Sequence, residues 1–355
     1  MDSMGEVKVP AGRMWGAQTQ RAVDNFRVSG RGMRRPFIRA LASVKWAAAK
    51  ANYELGLLEK DLTAAITGAA DSVLEGKHDQ EFPVDVFQTG SGTSSNMNMN
   101  EVLSNLANVS LGSEPGTKKP VHPNDHVNMG QSSNDVIPTA LHVSLARSVR
   151  DRLIPSLGAL AKALLEKSDA WDDIVKVGRT HLQDATPIRM GQVFQGYAAQ
   201  VAHSCQRLSL AYDGLLEMPL GGTAVGTGIG RHPEFHTKAI GYLSEKTGLP
   251  LRPARNFCEQ LAGREACTFL AGALGSTAGA LLKIANDVRH LGSGPRCGIG
   301  ELKLPAVQPG SSIMPGKVNP VMSESLIMAC LLTQGYVTTV MAAGSMGNFE
   351  LNVTL

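Results

Sequence analysis

Five long stretches of helical composition, separated by polar, glycine-rich connectors, limit what this chain can fold into. Ile38 to Gly76 is rich in Ala, Leu, Lys and Glu and reads as two helices broken near Gly56. Asp135 to Trp171 is one long pattern, with Pro138 near its start and Pro155 as a kink. Met190 to Met218, Asn256 to Leu291 and Val321 to Ala343 complete the set. Aromatic residues make up only 5% of the chain and β-branched alternation is scarce, which argues against a large sheet. Long helices bury their apolar faces most simply against one another, so the expected fold is mainly α with a long helical bundle.

At 355 residues the chain can bury a substantial core and form two or three domains. Its net charge of +3 is spread along the sequence and gives no reason to invoke nucleic acid or an anionic membrane. Arg31, Arg34 and Arg35 read as a solvated face. The five cysteines, at 205, 258, 267, 297 and 330, have no C-x-x-C pair and no metal-ligand spacing, which fits reduced thiols in the cytoplasm. Met1 to Arg13 is polar and mixed in charge, unlike a secretory segment. The uncharged run Ala266 to Leu282 falls short of the roughly 20 apolar residues that span a bilayer. It reads as a buried helix with small residues at a tight contact.

Function is expected in the connectors, held in place by rigid helices. The densest chemistry lies in Gly310-Ser311-Ser312-Ile313-Met314-Pro315-Gly316-Lys317-Val318-Asn319-Pro320. Backbone N–H groups in such a loop can cradle an anion. Ser311 and Ser312 could supply a proton-transfer group, Lys317 and Asn319 a grip on carboxylate or phosphate. It is not a nucleotide-binding P-loop, because the glycine spacing is wrong and Val318 stands where Ser or Thr should follow the lysine.

Gln88 to Asn96 clusters neutral donors around two glycines, and Gln131-Ser132-Ser133-Asn134-Asp135 repeats that character where a helix begins. The second segment reads either as a helix cap or as a carboxylate site at a helix N-terminus. His122-Pro123-Asn124-Asp125-His126 has a His-x-x-x-His spacing, but zinc ligation at that spacing needs a helix, which Pro123 and Asn124 disfavour. A polar turn able to bind an anion is expected instead. His181 lies in the polar turn Gly178 to Asp184 before a long helix and is a candidate proton-transfer group, with Glu324 as a candidate orienting carboxylate. Gly221 to Gly228 lacks the G-x-G-x-x-G spacing and the βαβ setting of a dinucleotide site.

From Asp2-Ser3-Met4-Gly5 through Trp15-Gly16-Ala17-Gln18-Thr19-Gln20 to Phe349-Glu350-Leu351-Asn352-Val353, the chain resembles class II fumarase of the fumarase/aspartase superfamily. The 310–320 loop looks like the superfamily signature. Thr180-His181 and Gln131-Ser132-Ser133-Asn134-Asp135 resemble the fumarase forms, since aspartase typically carries glutamine for the histidine and Ser-Thr for the serine pair. The alternatives are another superfamily lyase such as aspartase, or an inactive shortened homologue acting as an interaction or structural protein.

The resemblance implies reversible hydration of fumarate to L-malate, a step of the tricarboxylic acid cycle, without metal or organic cofactor. It makes Ser311 the base on the carbon side, activated by surrounding backbone N–H groups, and gives His181, oriented by Glu324, the water side. Ser91, Gly92, Thr93, Ser132, Ser133, Asn134, Thr180, Ser312, Lys317, Val318 and Asn319 would line the substrate site. His122, Pro123, Asn124 and Asp125, with Lys119, look like the family's accessory dicarboxylate site. The implied architecture is an N-terminal lyase domain over residues 1–131 and an incomplete helical-bundle domain over 132–355. The chain stops at Leu355, where family members continue into a fifth bundle helix and a C-terminal domain. Four copies would form a homotetramer whose sites each draw loops from three subunits. Gly230-Arg231 departs from a more usual Asn-containing turn.

Overall fold

The computed structural model describes residue 2 and residues 4–354. Among them are eleven α-helices and only three two-stranded pairings, the mainly helical architecture that the patterning predicts. Two compact units arise. The first gathers residues 1–148, 213–267 and 343–355, and the second 149–212 and 268–342. Contacts thus group separated stretches of chain, a different criterion from the family's division at residue 131.

The first unit is built around α2 (Arg35–Glu54), which begins with a proline in its first turn, where no backbone N–H is lost. It packs against α3 (Lys60–Leu74), α5 (Ser133–Ser148) and α8 (Phe235–Thr247). Leu41, Val44 and Ala48 of α2 are wholly buried with Ile66, Val136 and Leu243 from those neighbours. Each large side chain so buried contributes about 1.5–3 kcal/mol. The break predicted near Gly56 is present, with α1 (Ala17–Asn25) before α2 and α4 (Thr93–Ser110) after α3. Short helix α9 (Phe257–Ala262) and the pairings β3 (Glu217–Met218) with β4 (Arg252–Pro253) and β5 (Gly347–Asn348) with β6 (Leu351–Asn352) complete the unit.

In the second unit, α6 (Ile154–Ala170) carries Pro155 in its first turn, after a π-helical turn at Val149–Leu153. The predicted kink is therefore a change of helix type. Helix α7 (Met190–Gly214) stacks Phe194 edge-on against Trp171 and Tyr197, and Tyr197 donates to Asp287 of α10 (Glu265–Leu291) at 2.8 Å. The small-residue contact expected of α10 is made with α11 (Val321–Gly344): Gln334 donates to the Gly275 carbonyl at 2.8 Å, and a Cβ on Gly275 would stand 3.4 Å from Val337.

Two expectations are corrected. Gly178 to Pro187 is not a bare turn but a hairpin, β1 (Val175–Thr180) antiparallel to β2 (Gln183–Arg189). Its register shifts between Val177 and Arg179, and a Cβ on Gly178 would lie 2.6 Å from the Thr186 carbonyl, so glycine permits the bulge. Helix α10, at 27 residues, is also long and apolar enough to cross a membrane, and so is α11. Two such helices weigh little, because core helices pass the same test. They differ in burial: 39% of α10's most apolar window is buried against 6% for α11. Along α11, Cys330, Gln334 and Val337 form one stripe facing α10, while Met328, Leu332 and Tyr336 on another stripe stay exposed.

Candidate active site

Three connectors converge in the first unit. Ser91 and Gly92 precede α4, with Ser91 in the left-handed region at φ 62°. The Ser91 hydroxyl donates to the Asn134 side-chain oxygen at 3.2 Å, and the Thr93 and Ser133 hydroxyls meet at 3.0 Å. Asn134 in turn donates its amide N–H to the Ala224 carbonyl at 2.8 Å. The two donor-rich segments read from the sequence are thus joined, and the Gly221–Gly228 loop joins them.

Of the two readings of the α5 start, the structure shows the cap. Ser132 caps the helix: its hydroxyl accepts from the Asn134 N–H at 3.2 Å, and Asp135 accepts from the Ser132 N–H at 3.0 Å, a reciprocal capping box. Ser133 and Asn134 are thereby free to face Thr93, Ser91 and Ala224.

Asp135 was not among the residues singled out from the sequence. It is wholly buried and accepts from the N–H groups of Gly221 at 2.9 Å and Thr223 at 2.8 Å as well as Ser132. Burial pushes its carboxyl up to about 6, against the pull of those N–H groups and of Lys45. Lys45, also wholly buried, donates to Asn128 at 2.8 Å and Gln131 at 3.0 Å. Burial pushes its ammonium down to about 7, with Asp135's charge opposing. A lysine inside α2's apolar face and a carboxylate in a helix's first turn carry no sequence signal that separates them from ordinary helix positions.

The stretch His122 to His126 corrects another expectation. Pro123–Val127 forms one π-helical turn, in which Pro123 occupies the first turn and loses no hydrogen bond. The His122 Nδ1 accepts from the Asp125 N–H at 3.2 Å, and the His126 Nδ1 accepts from the His122 N–H at 2.9 Å. Asp125 approaches His122 to 3.1 Å. Pro123 is buried, Asn124 exposed, and Lys119 lies exposed nearby in sequence.

In the second unit, Thr180 ends β1, and His181 and Leu182 make the hairpin tip, both left-handed at φ 56° and 60°. His181 is exposed, and among the described residues its ring has no hydrogen bond or ion pair to Glu324 or Ser311 within one chain. The Gly310–Pro320 loop closes on itself. Gly310 donates to the Lys317 carbonyl at 2.8 Å, Asn319 donates to the Gly310 carbonyl at 2.8 Å, and the Ser311 hydroxyl accepts from the Ile313 N–H at 3.2 Å. A Cβ on Gly310 would sit 2.6 Å from the Lys317 carbonyl, so the closed loop demands glycine there. Ser312, Lys317 and Val318 are exposed, and Glu324 lies half-buried in the first turn of α11.

Glu301 is a third residue that sequence reading missed. It bonds Arg179 of β1 and stands 3.2 Å from the Lys176 ammonium. Burial works against its carboxylate, yet the Arg179 and Lys176 partners hold it below the ordinary value. It thereby ties the segment leading to the Ser311 loop to the strand leading to His181.

The arrangement is one of neutral donors and short polar loops that could receive a small carboxylate. A lyase family model matches residues 5–335. A class II fumarate hydratase from Methylorubrum extorquens is 54% identical over 352 residues, covering 99% of this chain and 75% of the relative. The chain belongs to the class II fumarase family. A fumarate hydratase from Nitrosomonas europaea is also 54% identical, over 99% of this chain and 76% of its own. The crystal structure of recombinant class II fumarase from Schistosoma mansoni superposes with a TM-score of 0.97 at 42% identity, covering 99% of this chain and 77% of that one. The helical fold is thus the class II fumarase fold.

Proposed function

We propose that this chain catalyses the reversible hydration of fumarate to L-malate. The observation that carries the reading is the meeting of Ser91, Thr93, Ser133 and Asn134, four neutral donors in one cradle, in a chain 54% identical to fumarate hydratases. In the malate direction a base removes a weakly acidic proton beside a carboxylate, and the carbanion's charge spreads into that carboxylate. Preorganised donors around it are the main physical demand, each worth about 10²–10³ in rate when well aimed. The cradle supplies such donors, and Lys317 and Asn319 are a further cation and amide for the substrate.

Ser311 is the base on the carbon side, its loop already closed by the Gly310–Lys317 and Asn319–Gly310 bonds. His181, with Glu324, serves the water and hydroxyl side, and Thr180, Ser132, Ser312, Val318 and Gly92 are further substrate-binding residues. Among the described residues His181 has no carboxylate partner, and in this reading Glu324 of another copy serves it. The exposed stripe Met328, Leu332 and Tyr336 offers the surface for that assembly, a homotetramer. The His122–Asp125 turn, with Lys119, is an accessory dicarboxylate site. Five unpaired thiols fit a reducing cytoplasm.

The test follows fumarate hydration by loss of ultraviolet absorbance as the double bond disappears. Turnover by the full chain that vanishes in Ser311→Ala, with assembly unchanged, is the expected result. Full turnover by that variant would remove Ser311 from the mechanism, and wild-type protein that is folded but inert on fumarate would overturn the assignment.

A further inference from the structure

The Gly221 peptide is held at both ends by opposite charges. Its N–H donates to the buried Asp135 carboxylate at 2.9 Å, and its carbonyl accepts from Arg231 Nε at 2.6 Å. The same Asp135 oxygen takes the Thr223 N–H at 2.8 Å. Arg231 is itself fixed, because its Nη1 donates to the carbonyls of His232 at 3.0 Å and Pro233 at 2.7 Å. Hydrogen bonds to ionised partners are roughly twice as strong as neutral ones, so this short loop is pinned harder than its glycines alone would allow.

What the pinning holds is a conformation the chain would otherwise leave. Thr223, a β-branched residue, sits at φ 55° with its hydroxyl buried and unpaired. The next residue, Ala224, offers its carbonyl to the Asn134 amide nitrogen at 2.8 Å, while the Asn134 oxygen receives the Ser91 hydroxyl at 3.2 Å. These two contacts decide which end of the amide faces which way. One amide N–H is spent on Ala224, and the other is left for a ligand oxygen.

We propose that Asp135 and Arg231 are positioning residues for substrate binding, clamping the Gly221–Ala224 loop and through it orienting the Asn134 amide, a role that rests on the hydration reading above. Neither touches the substrate. Asp135 holds the loop to the α5 segment that carries Ser132 to Asn134, and Arg231 closes the clamp from the other side.

Steady-state fumarate kinetics on the full chain, with deuterium exchange over residues 219–226, test the proposal. Arg231→Gln should raise KM about tenfold while kcat changes by less than about threefold, since uniform binding is what is lost. Arg231→Gln combined with Asn134→Ala should be no worse than Asn134→Ala alone, because both remove the same amide grip. Thr223→Gly, which relaxes the left-handed strain, should restore part of the lost KM in Arg231→Gln. Arg231→Lys, which keeps the charge without the fork, should show the same defect more weakly and serves if the glutamine variant does not fold. Wild-type KM in Arg231→Gln or Arg231→Lys, or penalties that multiply in the double variant, would overturn the clamp. The exchange arm is independent of turnover: protection over 219–226 should fall in Arg231→Gln or Arg231→Lys, and unchanged protection overturns the clamp even if the wild-type chain proves inert on fumarate.

Discussion

Burial and basicity oppose each other at His142. The ring is almost wholly enclosed, and its Nδ1 lies 2.9 Å from the Glu217 carbonyl, so the neutral form with Nδ1–H donating is the one that fits. Burial pushes its pKa down to about 4, against the Glu217 hydrogen bond. Between pH 6.5 and 4 the unfolded chain therefore binds a proton at this site that the folded chain refuses. The stability this residue supplies is complete above pH 6.5 and drains away as pH falls toward 4, by about 3 kcal/mol at most. His142→Gln should flatten that limb: its Tm should drop less than wild type's between pH 6.5 and 4.5, and parallel Tm curves would sink the idea. At this scale the sequence was legible where chemistry clustered. Ser91, Thr93, Ser133 and Asn134 stood out because short polar side chains crowd around glycines, and the structure joins them. Asp135, Lys45, Arg231 and Glu301 were given no role, because a single charge on a helix or in a loop looks the same whether it faces solvent or a buried peptide.

Among the elements, the longest helices were legible, while α1, α4, α8, the break between α9 and α10, and the hairpin were not. Helical stretches announce themselves by length and composition, and the predicted set matches α2, α3, α5, α6, α7, α10 and α11 in place. Strands β1 and β2 carry Lys176, Gly178, Arg179, Gln183, Asp184 and Pro187, and none of their residues is fully buried, so no alternation marks them. What pairs them is local: a two-residue tip in the left-handed region and a bulge at Gly178. The bulge yields a sharp expectation. Gly178→Ala sets a Cβ 2.6 Å from a backbone oxygen, which cannot rotate away, so the variant should lose about 1–3 kcal/mol in denaturant titration. Because β1 also carries Arg179, held by Glu301, the same change should loosen His181 and lower kcat. An unaltered denaturation midpoint would mean that the hairpin bends freely and does not hold His181 in place.

For the whole molecule, the outstanding feature is an apolar helix with almost nothing against most of its surface. A helix that is apolar all round is stable in water only when it is covered. On α11 the Gly275 contact occupies the stripe of Gln334 and Val337, while Met328, Leu332 and Tyr336 remain 54–64% exposed. If further copies of the chain cover that stripe, a charge placed in it should break assembly and activity together. Leu332→Glu should shift the sedimentation coefficient to smaller species and abolish turnover in the same samples. Shared sites make a second demand that separates assembly from mere stability. Ser311→Ala and Asn134→Ala each lack one part of the proposed site. When the two variants are dissociated and reassembled together, and assayed at fumarate concentrations too low for either to turn over alone, random pairing of copies should restore about a quarter of the wild-type sites. Recovery on that scale requires Ser311 and Asn134 to meet from different chains. No recovery, with mixed oligomers formed, would place both residues of every site in one chain and leave the exposed stripe to hold the assembly without completing the chemistry.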